Sequence, residues 1–335
     1  MNMQKKTVFP APDLSAFAML LAMALALPMV TDGYILYVLP EYFTYGLLAL
    51  SLGLLWGQVG ILSFGQAAFF LVGAYAAGLL LKAGGIASSL FLILPIAAIL
   101  GALIAMVAGY FLFTGGVRAT YFVLVTLALS ILAERLAVNY SGITGGWNGM
   151  FINRPELSFG PLGSLSLYGD VPMYYFVLTL LVAGFLAVRA IAHSRFGKML
   201  VGVRENEDRM LAMGVDTAIT KTLAFGLSGA VGGLAGALFA MHTGFVSPSV
   251  GGVLFSTEVV VWVAIGGRLS LLGALVGGIL VAGLSNYLSA LVPDYWRLIL
   301  GIVFILVIVF FKRGLAGAVD DLRGLLAGKK ETGHD

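Results

Sequence analysis

The side chains of this protein that could do chemistry are few, and many of them crowd one stretch. Arg189, Arg195, Lys198, Arg204, Glu205, Glu207, Asp208, Arg209, Asp216 and Lys221 fall together in a sequence that is only 10% charged and 60% hydrophobic. Their spacing is not catalytic. No Ser/His/Asp arrangement or paired-carboxylate site is present, and His193, His242 and His334 lack metal-ligand spacing. Gly197-Lys198 is followed by Met199, and Gly328-Lys329 by Lys330, so neither offers the hydroxyl that a phosphate loop presents to Mg²⁺. The chain is not expected to hydrolyse ATP or to hold a cofactor or metal. There is no Cys, which excludes disulfides and Cys-ligated metals.

The chemistry left to the charged stretch is recognition. Arg195–Val203 and Asn206–Met213 read as two short helices. Asn206 can cap the second, with Glu207 and Asp208 in its first turn, where the helix dipole favours acids. Gly214 suits its left-handed end. Arg204–Asp208 and Glu205–Arg209 are spaced to pair across a turn. Met199, Leu200, Val203, Met210, Leu211 and Met213 make a partial apolar stripe fit for a groove on a soluble partner. The alternative is a loop lying on the membrane surface, but four acids count against it.

The elements around this stretch are apolar. Runs of about 20 apolar residues, enough for one crossing, recur along the whole chain. We read an all-α polytopic membrane protein with about ten transmembrane helices, at 14–31, 34–55, 60–81, 89–113, 119–138, 172–191, 221–242, 254–267, 271–291 and 296–311. Segment 60–81 carries Gln66 and several glycines, and 254–267 is short; either can be broken or re-entrant. Lys5-Lys6 followed by Leu14–Val30 has the look of a signal peptide, but the loop charges fit better if it is kept as a first helix. With both termini cytoplasmic, basic residues divide about fifteen to three between inner and outer loops. That distribution, and not a nucleic-acid partner, accounts for the net charge of +3. The main outer loop is then 139–171 and the main cytoplasmic loop 192–220, between a cytoplasmic N-terminus at 1–13 and a tail at 321–335. Gly229, Gly232, Gly233 and Gly236, like Gly273 and Gly277, make smooth helix faces for close packing.

The segment from His193 to Val215 resembles the cytoplasmic coupling loop of ATP-binding cassette (ABC) importer permeases, in particular the branched-chain amino acid permease family of the LivM type. Gly57–Tyr75 looks like that family's early signature helix, Thr144-Gly-Gly-Trp-Asn-Gly149 like its outer-loop signature, and Gly266–Gly273 like its late glycine motif. Gln66 departs from relatives that carry His there, and Arg268 from a motif that often reads Gly-Gly-X-Gly. The resemblance implies a permease domain over 14–320 that imports branched-chain or other hydrophobic amino acids. It implies two ABC ATPase subunits that bind ATP and Mg, a second homologous permease, an extracytoplasmic solute-binding protein, and residence among lipids of the bacterial inner membrane. Arg195, Gly197, Arg204, Glu205, Glu207, Asp208 and Gly214 would form the ATPase-coupling loop. A permease for urea or short amides shares the architecture. From another class, a stand-alone secondary transporter or channel would need acids near the bilayer midplane.

Acids in spans are costly and face cavities or partners. Glu41, Glu134 and Glu258 fall in the outer third of the expected spans, where they could line a vestibule with Arg135 balancing charge, or could pair locally, as Glu134 with Arg135. Deeper polar candidates are Gln58, Ser63, Gln66 and Tyr75, then Thr126, Ser130 and Asn286. Interhelical hydrogen bonding is the commoner role for such groups; Gln66 is the first choice for a pore-lining one, with Ser63 and Tyr75 beside it. Trp147 and Asn148 are candidate contacts for the binding protein, although Trp147 and Phe245 could equally anchor the interface.

Overall fold

The computed structural model describes residues 12–31, 33–84, 89–117, 119–158, 164–310, 314, 315 and 317. In chain order the helices are α1 (Pro12–Val30), α2 (Tyr34–Leu54, continued by a π-helical turn Leu55–Val59), α3 (Gln66–Ala83), α4 (Leu90–Thr114), α5 (Ala119–Asn139), the single turn α6 (Ser141–Thr144), α7 (Asp170–His193), α8 (Arg195–Glu205), α9 (Glu207–Ala212), α10 (Thr217–Thr243), α11 (Val253–Gly266), α12 (Leu271–Leu291) and α13 (Trp296–Phe310). Two small antiparallel ribbons pair β1 (Met150–Phe151) with β4 (Phe245–Val246) and β2 (Glu156–Ser158) with β3 (Ser164–Ser166). Lys5, Lys6, Arg118, Lys312, Arg313, Arg323, Lys329, Lys330 and His334 lie outside the described residues, as does the expected tail 321–335.

Seven of the described helices are long and apolar enough to cross a membrane: the whole of α2 with its π turn, α3, α4, α5, α7, α10 and α12. Helices also stand at the other expected positions, α1, α11 and α13. At 14 residues, α11 rises only about 21 Å, short of a hydrocarbon core of roughly 30 Å.

The axis of the molecule is an antiparallel pair, α2 and α10. Both are buried on nearly all sides, as helices without a polar face should be. Small residues let α10 meet its neighbours at backbone distance. A Cβ on Gly229 would lie 2.4 Å from Gly101 O of α4, and a Cβ on Gly236 would lie 1.9 Å from Phe70 O of α3. In α4 the buried residues recur every fourth position, Ile93, Ala97, Gly101, Ala105, Gly109 and Phe113. That stripe faces α10, while Phe91, Leu103, Val107 and Phe111 point away and are exposed. On the other side α2 packs against α12 through Gly46, Gly53 and Gly278.

At the centre the axis is tied by a polar knot. Gln66 Nε2 donates to Ser228 Oγ at 3.0 Å, Ser228 Oγ donates to Ser51 O at 2.7 Å, and Ser51 Oγ lies 3.0 Å from Gln66 Oε1. All three side chains are fully buried, so α2, α3 and α10 meet with the amide engaged at both ends.

The expected helix over 60–81 begins only at Gln66. Gly60 is left-handed at φ 80° and ends the π turn, and residues 60–65 are not helical. Such backbone at membrane depth must find partners inside the protein. It finds them in α5: Thr126 Oγ1 accepts from Phe64 N at 3.1 Å, and Ser130 Oγ donates to Phe64 O at 2.7 Å. A second interruption follows α10. Gly244 is left-handed at φ 68°, β4 pairs with β1, and a 3-10 turn at Pro248–Gly251 leads into α11. A non-helical stretch thus separates α10 from the short α11.

Close packing at Gly73 gives a direct test. A Cβ there would lie 1.9 Å from Gly233 O, whereas Gly301 has open space around it. Gly73→Ala is expected to cost about 1–3 kcal/mol by overpacking, read as a lower melting temperature in detergent, with Gly301→Ala unchanged. Equal melting of the two variants would contradict this packing.

Candidate functional site

The charged stretch folds back onto the transmembrane core. The corner from α7 to α8 closes on Ser194, whose Oγ accepts from Gly197 N at 3.3 Å. A Cβ on Gly197 would lie 2.1 Å from Ala192 O, so the corner needs glycine there. Leu200 buries with Leu55, Val59 and Phe225 at the charged end of the bundle. Arg204 crosses the break between α2 and α3: its guanidinium donates to Gly57 O in the π turn and, at 2.9 Å, to Glu205 Oε1. Its stem covers Gly60, where a Cβ would lie 2.7 Å from Arg204 Cγ. The chain leaves the helix at Gly60, so carbonyls of the last turn lack helical donors, and the guanidinium supplies one.

The second short helix is capped as expected. Asn206 Oδ1 accepts from Arg209 N at 2.8 Å, Glu207 and Asp208 occupy the first turn, and Gly214 is left-handed at φ 83°. The pairs Arg204–Asp208 and Glu205–Arg209 do not form. Asn206 is extended, at φ −161°, so the partners stand on different helices and Arg204 turns inward. Glu207 accepts from Thr217 Oγ1 at 2.9 Å and pairs with Lys221, whose ammonium sits 5.5 Å from the Phe113 ring centre. These contacts fix α9 to the start of α10. Of the apolar stripe, Leu200 and Val203 are consumed by the core, while Leu211 and Met213 remain exposed beside Glu205, Asp208 and Arg209. Arg195 is also exposed.

At the opposite end, Gly145, Gly146 and Gly149 all have positive φ, and the tight turn they allow leaves Trp147 and Asn148 exposed. The turn runs into β1 and hence, through β4, to the chain entering α11. Phe151 and Phe245 pack with ring centres 4.9 Å apart. Arg154 bonds Asp170 at 3.2 Å and lies over the Tyr37 ring.

The six expected path residues do not share one lining. Gln66 and Ser63 are fully buried, the first in the central knot and the second accepting from Gly65 N at 3.0 Å. Tyr75 borders an apolar groove of about 370 Å³ among α3, α4 and α5, its hydroxyl without a partner among the described residues. Glu134 does not pair with Arg135. Its carboxylate faces Gly252, the residue capping α11, where a helix dipole favours it. Glu41 and Glu258 both line a recess of about 480 Å³ among α2, α11 and α12. Tyr45 donates to Glu41 Oε1 at 2.7 Å, and Asn286 Nδ2 donates to Tyr42 Oη at 2.5 Å across the recess mouth. Phe255 and Trp262 supply its aromatic wall. Sequence reasoning missed this wall and the inward turn of Arg204. The i, i+3, i+7 run Phe255-Glu258-Trp262, which puts both rings on the face of the acid, was the available signal for the first.

Residues 34–308 match the family described as branched-chain amino acid transport system / permease component. The chain belongs to this family. It is 27% identical over 92% of its length, and 78% of the relative's, to the high-affinity branched-chain amino acid transport system permease protein LivM of Escherichia coli strain K12. It is 29% identical over 72% of its length, and 76% of the relative's, to the probable branched-chain amino acid transport permease protein LivH of Methanocaldococcus jannaschii. The ribose import permease protein RbsC of Haemophilus influenzae is 25% identical over 71% of the chain and 72% of its own length. No solved structure matches the chain. The permease is accordingly a multi-pass protein of the inner membrane.

Partial burial opposes ionisation of Glu207, but hydrogen bonds from Lys221 and Thr217 and the charge of Lys221 outweigh it, so its pKa falls below the usual carboxylate value. A carboxyl lowered on folding stabilises above its unfolded pKa and loses that stabilisation as pH falls through the folded one. Attachment of α9 should therefore hold at neutral pH and loosen in acid below the ordinary carboxylate range, seen as faster hydrogen exchange at 207–216. Glu207→Gln should remove that pH dependence; a Glu207→Gln protein that kept it would place the cause elsewhere. Arg204→Ala should speed exchange at 57–65, whereas Glu205→Ala should not; protection unaltered by both changes would disprove the clamp.

Proposed function

We propose that the permease is the membrane-spanning subunit of an ABC importer for branched-chain amino acids, and that it performs no covalent chemistry itself. The observation that carries this reading is the pair α8–α9: water-facing on one side, and bound through Arg204 to the break between α2 and α3 on the other. A soluble ATPase that gripped the exposed Leu211 and Met213, with Glu205, Asp208, Arg209 and Arg195 around them, would act on that break. Gly197 and Gly214 shape the segment, and Glu207 holds it. Family membership supports the assignment, and relatives named for branched-chain amino acids support the substrate.

Orientation follows from charge. Arg189, Arg195, Lys198, Arg204, Arg209, Lys221 and Arg268 gather at the α8–α9 end, against Lys82, Arg135, Arg154 and Arg297 at the other, so the α8–α9 end is cytoplasmic. In this reading α1, α11 and α13 complete ten crossings, both chain ends lie in the cytoplasm, and 139–171 forms the main outer loop. Trp147 and Asn148 then face a solute-binding protein, two ATPases bind ATP and Mg, and a second permease of the same family completes the assembly. The solute passes along surfaces shared with that second permease, with Glu41 and Glu258 on the outer part of its route.

The test is reconstitution. Vesicles holding the permease with its ATPases, second permease and binding protein should accumulate leucine, isoleucine or valine when ATP is supplied, and should not accumulate urea or acetamide. Vesicles holding the permease alone should accumulate none of them. ATP-independent accumulation by the chain alone would refute the reading.

A further inference from the structure

The break between α2 and α3 is touched by two elements. From α8, the Arg204 guanidinium donates to Gly57 O. From the turn joining α11 to α12, Arg268 reaches the same π turn, Leu55–Val59, in two ways. Its guanidinium lies over the ring of Trp56, 5.7 Å from the centre. Its carbonyl lies so close to Gly57 that a Cβ there would collide with it. Trp56 is partly buried and packs against the core. The turn that carries Arg268 is itself tightly held. Gly267 stands at φ 112°, and a Cβ on Gly266 would strike Gly273 O. Gly267 N–H donates to Val263 O at 2.9 Å, and Ser270 N–H to Gly267 O at 3.1 Å. Ser270 Oγ accepts from Gly273 N at 3.0 Å and caps α12. Arg268 is thus fixed to the end of α11 and the start of α12, and both helices line the recess that holds Glu41 and Glu258.

We propose that Arg268 is a positioning residue for transport: it ties the α11–α12 turn to the π turn, so that a pull on Arg204 moves α11 and α12 together with the break. The role in transport rests on the reading of α8–α9 given above; the tie itself does not. Gly57 is the shared point. Its carbonyl takes Arg204, and its Cα lies against the backbone of Arg268, so a rotation of that peptide disturbs both contacts at once. The element between the two arginines is of a rare kind, a single π turn, and such turns occur frequently at functional sites. The side chain suits a tie that must survive movement. A planar guanidinium stacks on an indole face while its N–H groups stay in water, and it is held by the whole ring and not by one acceptor.

Hydrogen exchange in the purified full-length permease reads the tie without ATPase or solute. Arg204→Ala should speed exchange at 267–270, where Gly267 and Ser270 carry bonded amides. The expected change is about two- to fivefold, the size of a cation–π contact at an exposed site. Placed on Arg268→Ala protein, the same Arg204→Ala change should add nothing at 267–270. Arg268→Lys keeps a cation over Trp56 and should keep the response, whereas Arg268→Gln should lose it. Trp56→Phe, which keeps a ring face, should behave as Arg268→Lys does. In the complete importer, Arg268→Gln should lower the leucine carried per ATP hydrolysed by about two- to fivefold, and Arg268→Lys should restore it. A purely structural role would reduce uptake and hydrolysis in proportion and leave that ratio unchanged. Exchange at 267–270 indifferent to Arg204→Ala, an Arg268→Gln protein equal to Arg268→Lys, or an unchanged ratio would each overturn the proposal. The two readings fail separately. An importer that carries leucine while 267–270 ignores Arg204 removes the tie and leaves the permease assignment. A tie seen by exchange, in an assembly that carries no amino acid, removes the assignment and leaves the tie.

Discussion

The structure depends on giving partners to backbone that leaves the helix inside a membrane. Each unsatisfied peptide group there costs several kcal/mol, and among the described residues two such interruptions stand out, after α2 and after α10. Gly60-Ile61-Leu62-Ser63 and Gly244-Phe245-Val246-Ser247 share a pattern: a left-handed glycine, two apolar residues and a serine. One interruption is satisfied by hydroxyls of α5, the other by pairing of β1 with β4. These partners must hold position for the breaks to exist, so α5 and the β1 loop are tied to the core despite their exposed faces.

The two interruptions also order the rest of the bundle. The helices α2 and α10, which lead into them, run antiparallel, so the breaks open at opposite ends. Each of these helices packs against the long glycine-bearing helix of the other half, α2 on α12 and α10 on α4. Two halves running in opposite directions, with broken helices in corresponding places, are a recurrent way to build a transporter around a central path. Here each break lies under a different surface element. The α8–α9 pair sits on the first through Arg204, and the Trp147 loop reaches the second through β1. A partner at either face thus addresses a point where the helices are not continuous, and the central knot of Ser51, Gln66 and Ser228 lies between those points.

Much of the helical architecture was legible because apolar length is a one-dimensional signal. The cap at Asn206 and the left-handed Gly214 were legible for a similar reason, since they are set by neighbours in sequence. The start of α3 was not. Hydropathy continues smoothly through Ile61, Leu62 and Phe64, and only the positive φ of Gly60 and the distant hydroxyls of Thr126 and Ser130 make that stretch non-helical. The turn of Arg204 was equally hidden, because helical spacing offered it Asp208 while the acceptor it takes is a carbonyl 147 residues away in sequence.

The fate of the polar residues follows from what each can have satisfied inside the protein. A glutamine, serine or threonine is neutral and can be buried once its hydrogen bonds are made, and Gln66, Thr126 and Ser130 are buried in that way. A carboxylate needs a countercharge or water as well. Glu134 has the start of α11 beside it, and Glu207 has Lys221. Glu41 has the Tyr45 hydroxyl, and it lines one recess together with Glu258. Covering that recess with apolar chain would raise the cost of keeping a carboxyl group there. This separates the acids from the neutral polar groups: the same span chemistry that makes Gln66 a fastener at the centre leaves Glu41 and Glu258 at a recess.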